Sequence, residues 1–88
     1  MNHRHRKVLH ALFAHPVSAN ISFRDVETLL GELGGTLSHS GHGKLKVELN
    51  GHLAAFSTAA HSLPKEEVAQ VRKFIEAAGI EPERDYPL

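Results

Sequence analysis

Histidine is the residue type in this sequence that is abundant enough to suggest chemistry. The chain has 88 residues, of which eight are histidines and none is a cysteine. His39 and His42 flank Ser40-Gly41 in a polar stretch, and His61 precedes the last apolar stretch of the chain. Because an unperturbed imidazole titrates near neutral pH, these three residues are candidate general acids or bases. The alternative interpretation is that they are polar loop residues on a solvated edge.

Two lysines suggest a second kind of chemistry, contact with phosphate. Lys44 and Lys46 alternate with apolar residues, so one strand face presents both of them. Glu48 follows on the same face. The pattern therefore predicts either a phosphate contact or an ordinary solvated sheet surface.

The charge is unevenly distributed along the chain. Arg4, Arg6 and Lys7 cluster near the start, and residues 1–24 contain no acid, whereas residues 76–88 are predominantly acidic. The totals of ten basic and ten acidic residues nevertheless cancel. Since nucleic-acid affinity depends largely on phosphate neutralisation, a net charge of zero does not by itself indicate an RNA-binding protein.

Several classes of protein are excluded or disfavoured by what the sequence lacks. The absence of cysteine excludes a disulfide framework and any zinc site with cysteine ligands, and no four histidines have convincing spacing for a metal. There is no phosphate-binding loop and no dinucleotide fingerprint. No apolar run approaches the length of about 18 residues needed for a membrane helix. We therefore expect a cytoplasmic protein without metal, cofactor or membrane partner.

Hydrophobic periodicity predicts two helices in the first third of the chain. Asn2 is a good N-cap for the first, and His15-Pro16 ends it because the residue before a proline disfavours the helical conformation. The second begins with the capping-box-like Ser22-Phe23-Arg24-Asp25 and stops at Gly34-Gly35.

The period then changes from 3.6 to 2, which predicts a sheet. Asn50-Gly51 is a strong signal for a two-residue hairpin, and Thr36 to Ser40 is a plausible first strand. The hairpin would place three pairs of residues opposite each other on one face of the sheet. They are Leu49 with His52, Val47 with Ala54, and Leu45 with Phe56.

A last helix is predicted to start near Ser62-Leu63-Pro64 and to close at Gly79, followed by an extended acidic tail over residues 81–88. The expected fold is α+β, in the order α-α-β-β-β-α, with the helices packed on one face of a three-stranded antiparallel sheet. We expect one domain over residues 1–88, with an N-terminal helical extension over 1–16 and a core over 22–80.

This pattern resembles the HicA (YcfA-like) family of bacterial toxins. The resemblance spans residues 22–80 and rests on the helix that ends in Gly34-Gly35, the Asn50-Gly51 hairpin, and His61 ahead of the helix that ends at Ile80. It implies a core similar to a double-stranded-RNA-binding domain, helix-strand-strand-strand-helix. It also implies a metal-independent endoribonuclease that acts on messenger RNA and is neutralised by a HicB-like antitoxin.

The resemblance also implies which residues would act on RNA. The family has a catalytic histidine in a Gly-Ser-His motif, and Ser40-Gly41-His42 has the same residue types in another order. Counting back from the hairpin places Lys44 at that position instead. His61 would be a second polar group, and Lys44 and Lys46, with the N-terminal cations, would bind RNA. The alternative is an inactive module that binds a protein partner or RNA without cleaving it.

Overall fold

The structure is a computed structural model that describes residues 1–17, 21–40, 43–57 and 62–88. Its elements, in chain order, are α1 (His3–Leu12), α2 (Phe23–Glu32), β1 (Thr36–His39), β2 (Lys44–Leu49), β3 (His52–Ser57), α3 (Lys65–Ala77) and α4 (Pro82–Asp85). The α+β class and the order α-α-β-β-β-α are confirmed, and one short helix is added at the end. No described helix combines the length and the hydropathy needed to cross a bilayer.

The three strands form one antiparallel sheet in the order β1-β2-β3. Asn50 and Gly51 form the turn between β2 and β3, with φ values of 50° and 84°. Positive φ at both central residues is what a type I′ turn requires, and this turn matches the twist of the strands it joins. The register pairs Leu49 with His52, Val47 with Ala54, and Leu45 with Phe56. All three predicted pairs are confirmed.

The sheet has one covered face and one open face, as predicted from its alternation. The inner face contributes four buried side chains, those of Leu45, Val47, Leu49 and Phe56. α2 packs beside β1, and α3 packs beside β3. The rings of Phe56 and Phe74 pack edge to face, with their centroids 5.8 Å apart. What we call the outer face consists of Lys44, Lys46, Glu48, Leu53 and Ala55, all exposed.

The first helix is an integral part of the core. The Asn2 side chain caps it by accepting a hydrogen bond from the His5 amide at 2.8 Å, as predicted. Leu9 and Leu12 are fully buried, and α1 packs against α2, α3 and α4. The helix ends at Leu12, three residues before His15, because its last turn tightens into two i→i+3 hydrogen bonds ahead of the proline.

The capping box predicted for α2 is wrong in its details. Ser22 is the N-cap residue, but its side chain makes no capping hydrogen bond, and Asp25 forms an ion pair with Arg4 instead. The backbone of Ser22 forms an isolated β-bridge with Ser62. A contact between distant segments therefore fixes the start of this helix. The predicted stop is confirmed, since Gly34 has a φ of 100°.

The prediction of an extended tail over residues 81–88 is also wrong. Pro82 is buried and begins α4, where its missing amide costs nothing. The Asp85 carboxylate accepts from the Glu81 amide at 2.9 Å, and Arg84 donates to the Gly79 carbonyl at 2.7 Å. These local hydrogen bonds, together with the burial of the proline ring, hold Pro82–Asp85 in a short helix.

Candidate functional site

The sheet has two chemically different ends. At the hairpin end, Asn50 and Gly51 join β2 to β3. At the other, which we call the loop end, β1 finishes at His39, β2 begins at Lys44 and β3 finishes at Ser57. The amide of Ser40 donates to the Lys44 carbonyl at 2.8 Å, which extends the pairing of β1 and β2 at this end.

The two predicted catalytic residues, His42 and His61, lie outside the described residues. Their described chain neighbours are at the loop end or next to it. Residues 41–42 connect Ser40 to Gly43, and residues 58–61 connect the end of β3 to Ser62. Ser62 is bridged to Ser22 at the start of α2, and the Leu63 amide donates to the Ile21 carbonyl at 3.0 Å. The described residues that flank the two segments thus lie on the same side of the molecule.

A histidine–carboxylate pair lies at this end, between two residues whose contact no pattern in the sequence predicts. His39 Nε2 lies 2.9 Å from Glu27 Oε1, with the two side chains 61% and 29% exposed. Glu27 is on α2 and His39 ends β1, so the antiparallel packing of helix on strand creates the pair. A carboxylate beside one ring nitrogen holds the imidazole in one orientation. The nitrogen that remains for proton exchange with a substrate is Nδ1.

Lys44 and Lys46 are exposed on the outer face of β2. His39 is paired with Leu45, so its Cβ is directed to the inner side of the sheet, whereas the lysines are directed to the opposite side. Lys44 shares the loop end with His39, and Lys46 lies two residues farther along the strand. The lysines and the Glu27–His39 pair therefore do not form one continuous face.

The N-terminal cations predicted to bind RNA have different environments. Arg4 pairs with Asp25 in the first turn of α2, with Nη2 3.3 Å from a carboxylate oxygen. The Nε atom of Arg6 is buried without a hydrogen-bond partner among the described residues, and Lys7 is exposed. Lys7 and the exposed part of Arg4 present charge to solvent near α1.

Two other histidines connect parts of the fold. His5 Nδ1 donates to Glu32 Oε1, and its side chain is only 12% exposed. His10 Nε2 donates to the Tyr86 carbonyl at 2.8 Å. These partners were missed by sequence reasoning, because residues 27 and 76 positions apart leave no pattern in the sequence.

A separate cavity of about 670 Å³ lies where the end of α1 meets the α3–α4 connection. His10, Phe13 and Ile80 line it together with acidic residues of the tail. Nearby, hydrogen bonds from Arg84 and from the Glu81 amide lower the pKa of Asp85 to about 2. Asn50 Nδ2 donates to the Ala78 carbonyl at 2.8 Å, which places the end of α3 at the hairpin end. The cavity is therefore remote from the loop end.

In the described parts of the chain, no group of three or more histidine, aspartate or glutamate side chains is placed to hold a metal ion. The candidate site lies at the loop end. It contains the His39 imidazole, Lys44 and the described residues that flank the segments with His42 and His61. Comparisons of the chain with protein-family models, with curated proteins and with solved structures found no match.

Proposed function

We propose that this protein is a HicA-like toxin, a metal-independent endoribonuclease that acts on messenger RNA and is neutralised by a HicB-like antitoxin. The observation that supports the proposal most is the order α2-β1-β2-β3-α3. It agrees with the helix-strand-strand-strand-helix core that the family resemblance implies. Because one fold can serve many functions, the chemistry of the loop end has to provide the rest of the argument.

The proposed reaction needs a base and an acid. The base removes the proton from a ribose 2′-hydroxyl, whose oxygen attacks the neighbouring phosphorus. The acid protonates the departing 5′-oxygen, which leaves a 2′,3′-cyclic phosphate. His42 is the proposed base or acid and His61 a second polar group, while Lys44 and Lys46 offset charge on the phosphate. The Glu27–His39 pair adds an oriented imidazole at the end of the sheet to which both segments are attached.

A second function, binding without cleavage, has its own supporting observation. The Arg4 guanidinium forms an ion pair with Asp25, and the His5 ring contacts Glu32, so two side chains of the N-terminal segment bind acidic groups of the protein itself. Fewer free cations mean fewer phosphate contacts and lower RNA affinity. An inactive module that binds a protein partner or RNA is the alternative that this pairing favours.

The decisive experiment is RNA cleavage by the purified chain in the presence of EDTA. We expect the wild type to cleave, and His42→Ala to lower the rate by about 10²–10⁴-fold, the usual contribution of a general acid or base. Glu27→Gln should give a smaller loss, since it removes only the group that orients His39. His52→Ala is the matched control, because His52 is an exposed histidine at the hairpin end and should cleave like the wild type.

The outcomes separate the two functions. Cleavage that is abolished by EDTA would exclude the metal-independent mechanism. Absence of cleavage by a sample whose circular dichroism is that of a folded α+β protein would favour the binding module. Growth arrest on induced expression, relieved by a co-expressed HicB-like protein, is expected only of the toxin.

A further inference from the structure

The cavity at the junction of α1, α3 and α4 has the size of a small-molecule binding site. Its volume of about 670 Å³ lies within the range of about 300–1,000 Å³ that is typical of such sites. The end of α1, the end of α3 and the first residues of α4 all contribute to its lining, so three elements surround a ligand bound there.

Part of the cavity is apolar and suits a hydrophobic group. Phe13 and Ala14 contribute from the end of α1, and Ile80 and Pro82 contribute from the connection between α3 and α4 and from the first residue of α4. Ile80 and Pro82 are buried, so packing against the rest of the fold holds their side chains in place. An aromatic or aliphatic group that displaces water from these four side chains is bound by the hydrophobic effect.

The polar side chains that remain for a ligand are hydrogen-bond acceptors. Glu76, Glu81 and Glu83 line the cavity, and an ionised carboxylate only accepts. His10 adds an acceptor as well. Its Nε2 lies 2.8 Å from the Tyr86 carbonyl, which cannot donate, so the hydrogen of the neutral ring is on Nε2 and Nδ1 accepts. A ligand that satisfies these groups is therefore rich in N–H donors.

Arg84 is the only lysine or arginine among the described residues that line the cavity, and its guanidinium is already paired. Nε donates to Asp85 at 2.9 Å, and Nη2 donates to the Gly79 carbonyl at 2.7 Å. Nη1 lies 3.1 Å from a carboxylate oxygen of Glu81. Each guanidinium nitrogen thus has an acceptor within the protein, whereas an anionic ligand would be repelled by the glutamates.

Glu83 is the carboxylate best placed to receive a positive charge. Glu76 is paired with Arg72, with 3.5 Å between Oε1 and Nε, and Glu81 is paired with Arg84. The Glu83 side chain, by contrast, has no hydrogen bond or ion pair with any described residue. One carboxylate beside the apolar part of the cavity is therefore left without a counter-charge.

We infer that the cavity binds a small organic cation, an amine or guanidinium attached to an aromatic or aliphatic body. The charged group donates to Glu83 and to His10 Nδ1, and the body packs against Phe13 and Ile80. The size of the cavity, its apolar part and its set of acceptors agree on this class of ligand. The inference does not depend on the proposed nuclease activity, because the cavity is remote from the loop end of the sheet.

Three ligands with the same apolar body test the preference for positive charge. At neutral pH, 4-phenylbutylamine is cationic, 4-phenylbutanol is uncharged and 4-phenylbutanoic acid is anionic. In NMR titrations that follow the backbone amides of the full chain, we expect the amine to bind with a Kd of about 1 mM, a modest affinity for a ligand of its size. The alcohol should bind at least about threefold more weakly, and the acid should not bind measurably.

The same titrations test the location, since the amine should shift the amide signals of Phe13, Gly79 and Ile80. Three results would overturn the proposal. They are equal affinity for the amine and the alcohol, no binding of the amine up to about 10 mM, and shifts confined to residues away from the cavity.

Two glutamine substitutions with the same change in net charge test the role of Glu83. Because Glu83→Gln removes the unpaired carboxylate, it should weaken binding of the amine by at least about threefold and leave binding of the alcohol unchanged. Glu66→Gln is the matched control, since Glu66 is also exposed but lies in the first turn of α3, at the opposite end of that helix. This variant should bind the amine like the wild type. Equal weakening by both substitutions would contradict a site at Glu83.

Discussion

At the hairpin end of the sheet, two residues determine the geometry; at the loop end, it depends on residues that are distant in sequence. Asn50 and Gly51 need nothing beyond their own backbone preferences to pair β2 with β3. The loop end is assembled by Glu27 reaching His39 and by Ser22 bridging Ser62. Local rules thus determine the scaffold, while tertiary packing brings together the groups that could do chemistry.

The largest effect should come from the core that both ends share. Leu45 near the loop end and Leu49 near the hairpin end are equally buried, at 0% and 1% exposure. Replacing either with alanine should lower the free energy of unfolding by about 2–5 kcal/mol, because each leaves a cavity in the core. Urea denaturation measures both. A loss below about 1 kcal/mol for Leu45→Ala alone would show that the loop end is packed less firmly than the hairpin end.

A smaller effect is expected from the turn itself. Gly51 has a φ of 84°, so Gly51→Ala should destabilise the protein by about 1–2 kcal/mol through left-handed strain. Gly31, an exposed residue in α2, is the matched control, since an added Cβ would make an ordinary 3.7 Å contact with Leu37. Gly31→Ala should stabilise by about 0.5–1 kcal/mol. Thermal denaturation that gave both substitutions the same sign would contradict this account of the turn.

The smallest effect is expected from the histidine–carboxylate pair. Because the side chain of His39 is mostly exposed, Glu27→Gln should change the free energy of unfolding by less than about 1 kcal/mol. The same variant is expected to reduce RNA cleavage, so a loss of rate without a loss of stability would assign the pair to the site. A loss of more than about 2 kcal/mol in urea would make it a structural contact instead.

The features that the sequence could predict are those determined by local rules, and the features that it could not predict depend on tertiary packing. The strand register and the glycine stops at Gly34 and Gly79 follow from period and backbone conformation over a few residues, and the structure confirms them. The predictions of a capping role for the Ser22 side chain and of an extended tail were wrong, because a bridge to Ser62 and the burial of Pro82 overrode local propensity. The Glu27–His39 pair could not be predicted, since it depends on how α2 packs along β1. The roles of His42 and His61 stay predictions.

The hydrogen bond between His10 and the Tyr86 carbonyl joins residues 76 positions apart. During synthesis, α1 is made many residues before the segment against which its last turn packs. Contacts of such long sequence separation form late, since the intervening chain must be ordered first. The contact between α1 and this segment therefore cannot form until residues 82–86 have emerged from the ribosome.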